Sequence, residues 1–262
     1  MSDMRFGICM SYQDRQRQLE GKQAGADYCE PTFRTLAADS KENIQQYLEL
    51  IREIDMPCET ANGMFPNEIP LVGPNVDYGR IDEFVDRGGE YFASLGGKIV
   101  VFGSGGARRC PDGFPKEKAY EQLNFACAEH IAPWMKKHGL ICVIEPLRTQ
   151  ECNMVYNSKI AFEICKAVNK PEIQLLIDLF HFRSENEPLE LLKEYGSFVK
   201  HVHIASVKND RLVPQADDGE DYSDFFAMLR AIGYAEKRIS LEGRYKDFAA
   251  DAKSSLAYLK TL

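Results

Sequence analysis

Histidine is scarce in this chain: five in 262 residues, with none before His130. That excludes a cluster of zinc ions held by histidines from the first strands of a fold. None of the eight cysteines forms a C-x-x-C pair, so neither a zinc ribbon nor a disulfide framework is expected, and the thiols read as reduced core residues. No apolar run approaches the about 18 residues of a membrane span, and no basic segment followed by an apolar stretch opens the sequence. A membrane partner is therefore not expected, and a cytoplasmic location is. Basic residues are outnumbered 32 to 40, a formal net charge of -8. That balance repels phosphate backbones and anionic bilayers, so nucleic acid is not expected as a partner either.

What is present suits a large core and a small-molecule partner: 44% of residues are hydrophobic and 27% charged. The length fits two small domains or one (β/α)₈ barrel of about 250 residues. Short β-like runs alternate with helical patterns. Strand-like segments lie near 4–10, 25–30, 56–60, 98–106, 140–146, 173–181, 198–206 and 238–243. Helical patterns fall at 41–54, 81–95, 118–138, 158–168, 189–195, 221–232 and 248–259. Ile44, Tyr47, Leu48, Ile51 and Ile54 share one face of the first of these. Such alternation implies a parallel sheet. An open doubly wound sheet competes, but eight repeats favour a closed TIM barrel. No linker or composition break is visible, so residues 1–262 are expected to form a single domain.

The later strands each end on a polar residue: Glu145 in VIEP, Asp178 in LLIDLFH, His203 in HVHIAS and Glu242 in ISLEG. In a barrel these ends converge on the face where active sites sit. Three carboxylates and an imidazole gathered there need a cation to relieve their repulsion. One divalent ion is expected; the oxygen majority leans to Mn²⁺ or Mg²⁺, with Co²⁺ or Zn²⁺ also suited. A lone glutamate at a strand end reads more simply as a salt-bridge partner; four in consecutive strands carry the metal reading.

These segments resemble the sugar isomerase/epimerase group of xylose isomerase-like barrels, and within it the D-tagatose/D-psicose type of ketose 3-epimerase. EPLRTQE resembles the group's E-P-L segment, which implies Glu145 as ligand and Glu151 as a sugar contact. DLFH resembles its D-x-x-H, implying Asp178 as ligand and His181 facing substrate. HVH implies His203 as ligand, DRLVP implies Arg211 against substrate, and SLEG supplies Glu242. The resemblance further implies that Glu145 and Glu242 are both ligands and the catalytic acid/base pair. One would remove a proton beside a carbonyl and the other return it, through a metal-stabilised cis-enediolate. The resemblance also implies a small-molecule carbohydrate as substrate and, since relatives commonly form dimers or tetramers, a homo-oligomer.

Arg244, two residues beyond Glu242, is expected to point at substrate. His201 turns inward with His203 by strand period and reads as a hydrogen-bonded core histidine beneath the ligands. His130 and His138 read as surface residues. Glu59, Asn62 and Phe65 are candidates to line the pocket, whereas Met10, Tyr12 and Trp134 read as packing. The Gly-rich loop 102–114, with Arg108 and Arg109, suits either anion binding or a structural turn. A lyase of the inosose dehydratase type, a hydroxypyruvate isomerase-like enzyme and a non-catalytic sugar-binding barrel stay open beside the epimerase/isomerase reading. Endonuclease IV, another relative of the fold, needs the missing early histidines, and xylose isomerase itself uses two metals and a longer chain.

Overall fold

In the computed structural model, which describes residues 4–262, eight parallel strands line up in the order β2-β1-β8-β7-β6-β5-β4-β3. They are β1 (Arg5–Cys9), β2 (Tyr28–Glu30), β3 (Thr60–Ala61), β4 (Ile99–Phe102), β5 (Ile141–Ile144), β6 (Ile173–Asp178), β7 (Val199–Ile204) and β8 (Arg238–Leu241). The two ends of that order meet. Isolated parallel bridges Cys29↔Cys58 and Thr32↔Asn62 join the β2 and β3 segments. The sheet therefore curls into a nearly closed barrel with helices outside, and the open-sheet alternative falls. Among the described residues, no helix is long and apolar enough to cross a membrane.

Local sequence explains most of the elements. Strands such as IVVF and ICVI are almost wholly buried, as parallel strands covered on both faces must be. Asp14, Ser40, Asp77, Asn157 and Asp247 each cap a helix by accepting a backbone N–H. The helices expected at 158–168 and 248–259 are found with those bounds.

Three expectations need correction. The single helix expected at 118–138 is interrupted: α-helix runs over Lys116–Phe125 and Ala132–His138, with a wider π turn at Ala126–Ile131 between. Pro133 has no N–H, and its ring crowds the carbonyl four residues back, so the preceding turn widens. The strand expected at 56–60 is displaced to Thr60–Ala61, after Pro57, which cannot donate to a ladder. Residues 179–181, read as strand, begin the helix Leu179–Ser184, whose first turn is capped by Asp178 Oδ1 accepting from Phe180 N at 2.7 Å.

One half of the barrel interior is apolar, filled by Ile99, Val101, Val143 and Leu176. The other half is a polar column. At its base Glu59 pairs with Arg5 at 2.6 Å and with Arg238 at 3.1 Å. Glu59 precedes β3, so it lies at the end of the barrel opposite the expected pocket. Above it the Tyr28 ring crosses Gly7, where a Cβ would lie 2.1 Å from the ring. The Tyr28 hydroxyl meets Ser240 Oγ at 2.9 Å.

Candidate metal centre

The four strand-end residues meet. Each of Glu145, Asp178, His203 and Glu242 offers one ligand atom, and these atoms all lie within 4.8 Å of one another. Strand register sets this: Asp178 pairs directly with His203, and Glu242 N donates to Ile204 O at 3.2 Å. His203 Nδ1 lies 3.3 Å from Glu145 Oε1 and 3.4 Å from Glu242 Oε2. Glu145, Asp178 and His203 are buried.

Two features of the Gly-rich loop secure Glu145. A Cβ on Gly103 would lie 1.8 Å from Glu145 Oε2, so only glycine leaves room for that carboxylate. Arg108 is fully buried and donates to the carbonyls of Phe102 (2.8 Å) and Glu145. Its guanidinium is thus a structural clamp on the ends of β4 and β5, which settles the loop's two readings for this residue. Arg109 lies at the surface and donates to Glu151 O at 3.0 Å.

The charge of the cluster fits a divalent cation. Three carboxylates face one guanidinium, Arg211, which lies 2.6 Å from Glu242 and 3.5 Å from Asp178. Burial acts to lower the His203 pKa, but Glu30 and Glu242 outweigh it and raise it well above the ordinary range, so without an ion the imidazole is charged too, and a cation at the site would take the place of its Nδ1 proton. Asp178 Oδ2 is buried with no hydrogen bond. Burial, then Glu242, raise the Glu145 carboxyl above its ordinary range. Burial raises Asp178 to about 6, against the pull of Arg211. Burial also acts to raise Glu242, but His203 and Arg211 outweigh it and bring that group down to about 2. An oxygen-rich, partly unsatisfied site of this kind suits a hard divalent ion.

Sequence reasoning missed Glu30. This fully buried carboxylate, at the end of β2, receives His203 Nε2 at 2.8 Å, His201 Nε2 at 2.9 Å and Thr60 Oγ1 at 2.8 Å. Ser240 Oγ completes its partners. With Nε2 of His203 held by Glu30, Nδ1 is the nitrogen that would face an ion in the cluster. His201 is the core histidine expected beneath the ligands. The signal for Glu30 was in the sequence, since YCE ends on a carboxylate as VIE does.

Glu151, His181 and Arg211 gather around the same cluster. Burial lowers the His181 pKa, so its ring is neutral. Its Nδ1 accepts from Arg148 N at 3.1 Å, which leaves the proton on Nε2, 3.7 Å from Asp178 Oδ2. Glu151 bridges Arg148 Nε at 2.7 Å and Arg211 Nη1 at 3.6 Å. Both guanidiniums lie over the Phe180 ring. Arg211 holds a left-handed backbone, φ 63°, as does Asp210 at 53°. Such strain in a bulky residue persists where surroundings enforce it.

Arg244 is not brought to the cluster. Its side chain is 59% exposed and pairs with the Asp210 carbonyl and carboxylate. The backbone explains this: Arg244 N and O bond Arg211 O and Val213 N, which leaves its side chain on the outer side of that ladder. Phe65 is core, packed on Phe84 and Phe102. Tyr12 packs on Tyr47 and bonds Asp39. His130 and His138, expected at the surface, lie on the outer helices but are mostly covered, their side chains 18% and 12% exposed, and pair with Asp82 and Asp86.

A family model for the xylose isomerase-like TIM barrel matches residues 20–262. The chain belongs to this family. A mouse protein described as a putative hydroxypyruvate isomerase is 27% identical over 135 residues, 49% of this chain and 48% of its own. The chain thus aligns with less than half the length of that curated relative. The solved structure of a 3-keto-D-glucoside 4-epimerase from E. coli superposes with a TM-score of 0.83 at 21% identity, covering 99% of this chain and 100% of that one. A D-psicose 3-epimerase solved with D-fructose gives 0.82 at 16% identity, covering 98% and 99%. The IolI protein with a bound zinc atom gives 0.73 at 18%, covering 98% and 97%. At such identities the superpositions establish the fold.

Proposed function

We propose that this protein is a divalent-metal-dependent epimerase or isomerase of a ketose or keto-sugar. The observation that carries this reading is the convergence of Glu145, Asp178, His203 and Glu242, with one buried carboxylate oxygen lacking a hydrogen bond and His203 Nε2 held by Glu30. These four residues would hold the ion, His203 through Nδ1. When bound, the ion supplies Lewis-acid polarisation of the substrate carbonyl; Mn²⁺ is the first candidate, followed by Mg²⁺, Co²⁺ and Zn²⁺.

The chain's own residues supply the rest. Glu145 and Glu242 are separated around the barrel wall by β6 and β7, so they address a sugar from two sides. One carboxylate oxygen takes the proton from the carbon beside the carbonyl; the other returns it to the opposite face. His181 donates its Nε2 proton to a substrate oxygen. Arg211 and Glu151 hold hydroxyl groups, positioned by their pairing across Phe180. The names of the relatives support the reading: epimerising a keto-glucoside or psicose and isomerising hydroxypyruvate all move a proton beside a carbonyl. The hydroxypyruvate activity remains the second reading, carried by the partial match to the mouse protein.

The test is an NMR screen of ketoses, keto-glycosides, inososes and hydroxypyruvate in deuterated water with Mn²⁺, Mg²⁺, Co²⁺ or Zn²⁺ added in turn. Deuterium entering an unchanged carbon skeleton supports epimerisation or isomerisation. Loss of water from an inosose makes the protein a dehydratase, and no turnover of any substrate with any of the four metals overturns the enzymatic reading.

A further inference from the structure

Barrels of this architecture frequently bind phosphate between the loops after β7 and β8, on backbone N–H groups. Here those groups are taken by the chain's own carboxylates. After β7, Glu220 Oε2 accepts from Ser206 Oγ at 2.8 Å, Val207 N at 2.9 Å and Lys208 N at 3.3 Å. Its Oε1 accepts from Arg183 Nη1 at 2.8 Å, and the side chain is 4% exposed. Successive N–H groups, a hydroxyl and an arginine form an anion-binding concavity. After β8, Lys246 N and Asp247 N both donate to Asp251 Oδ2, at 2.7 and 3.1 Å. The loops are also closed to each other: Arg244 N donates to Arg211 O at 2.7 Å, and Val213 N to Arg244 O at 3.1 Å.

The Glu220 nest is built on segments that also carry the metal centre. Arg183 sits on the short helix that starts at Asp178, and the loop between Ser206 and Glu220 carries Arg211. Glu220 itself is held from behind, its N–H bonded to Asp218 Oδ1 at 2.8 Å.

We propose that Glu220 is a built-in anion in the phosphate position of the barrel, and that it restricts this site to substrates without a phosphate or carboxylate at that end. This rests on the reading of the centre as a keto-sugar epimerase or isomerase. A phosphate ester brought against Glu220 meets a like charge in a nest whose donors are already taken, a penalty that selects by repulsion.

Wild type, Glu220→Ala and Glu220→Gln are melted in about 20 mM inorganic phosphate and in sodium chloride of equal ionic strength. Glu220→Ala opens the nest and is expected to gain about 4–7 °C with phosphate for an affinity near 1 mM. Wild type and Glu220→Gln, whose amide oxygen stays in the nest, gain none. No gain in Glu220→Ala, or an equal gain in wild type, overturns the proposal. In a second arm wild type is given a ketose and its terminal phosphate ester. The ester is expected to show kcat/KM lower by about 100-fold or more; equal turnover overturns the proposal, even where Glu220→Ala does not fold. If no ketose is turned over, the functional reading fails, and the melting arm still decides whether Glu220 fills an anion nest.

Discussion

Glu30→Gln is the substitution whose consequence follows most closely from the geometry. Volume is kept; one oxygen becomes an NH₂ group. Oε2 accepts from Thr60, His201 and Ser240, whereas Oε1 accepts from His203 alone. The amide oxygen therefore stays on the three-donor side, and the NH₂ turns to His203 Nε2. Two N–H groups cannot share that contact, so the imidazole proton moves to Nδ1. That is the atom facing Glu145 and Glu242, and a protonated nitrogen cannot be a ligand. Loss of such a partner behind a ligating histidine costs about 10–100-fold in metal affinity, or about 1.4–2.8 kcal/mol. The assay is Mn²⁺ titration followed by the free-ion EPR signal, with circular dichroism to confirm the fold. Equal affinity in Glu30→Gln and wild type would refute the reasoning.

Glu145→Gln and Glu242→Gln are each expected to leave a folded protein with turnover reduced by about 10²–10⁴-fold; near-normal activity in Glu242→Gln would remove it from the proton-transfer pair. Gly103→Ala places a methyl group where Glu145 Oε2 now lies, so kcat should fall by about 100-fold with Tm little changed; unaltered steady-state kinetics would contradict the packing argument. Arg108→Met leaves the Glu145 carbonyl without its buried donor, and thermal unfolding should show a loss of about 1–3 kcal/mol; no change in Tm would show that the clamp contributes nothing to stability.

The barrel and the four converging residues were legible because each rests on short-range pattern. Apolar runs ending in one polar residue, repeated at regular intervals, define both the strands and the ends at which those polar residues meet. What was not legible depends on three-dimensional neighbours. Glu30 carries the same strand-end signal as Glu145, yet its role appears only when β2 and β7 face each other across the barrel. Arg108 and Arg109 are adjacent in sequence, but one is fully buried between strand ends and the other lies at the surface. Arg244 was assigned by proximity to Glu242; the ladder between the β7 and β8 loops turns it to solvent instead. Glu59 was misplaced because β3 begins later than the apolar run suggests, which moves it from the mouth to the base.

The central claim is that Glu145, Asp178, His203 and Glu242 together hold one divalent cation. Asp178→Asn tests it: Asn Oδ1 can still cap the following helix, while Oδ2, which makes no hydrogen bond and only the longer contacts to Arg211 and His181, is replaced. Calorimetric titration of chelator-treated wild type with Mn²⁺ should show one equivalent bound, and Asp178→Asn should bind it far more weakly. Absence of binding by wild type with Mn²⁺, Mg²⁺, Co²⁺ and Zn²⁺, or undiminished affinity in Asp178→Asn, would contradict the account.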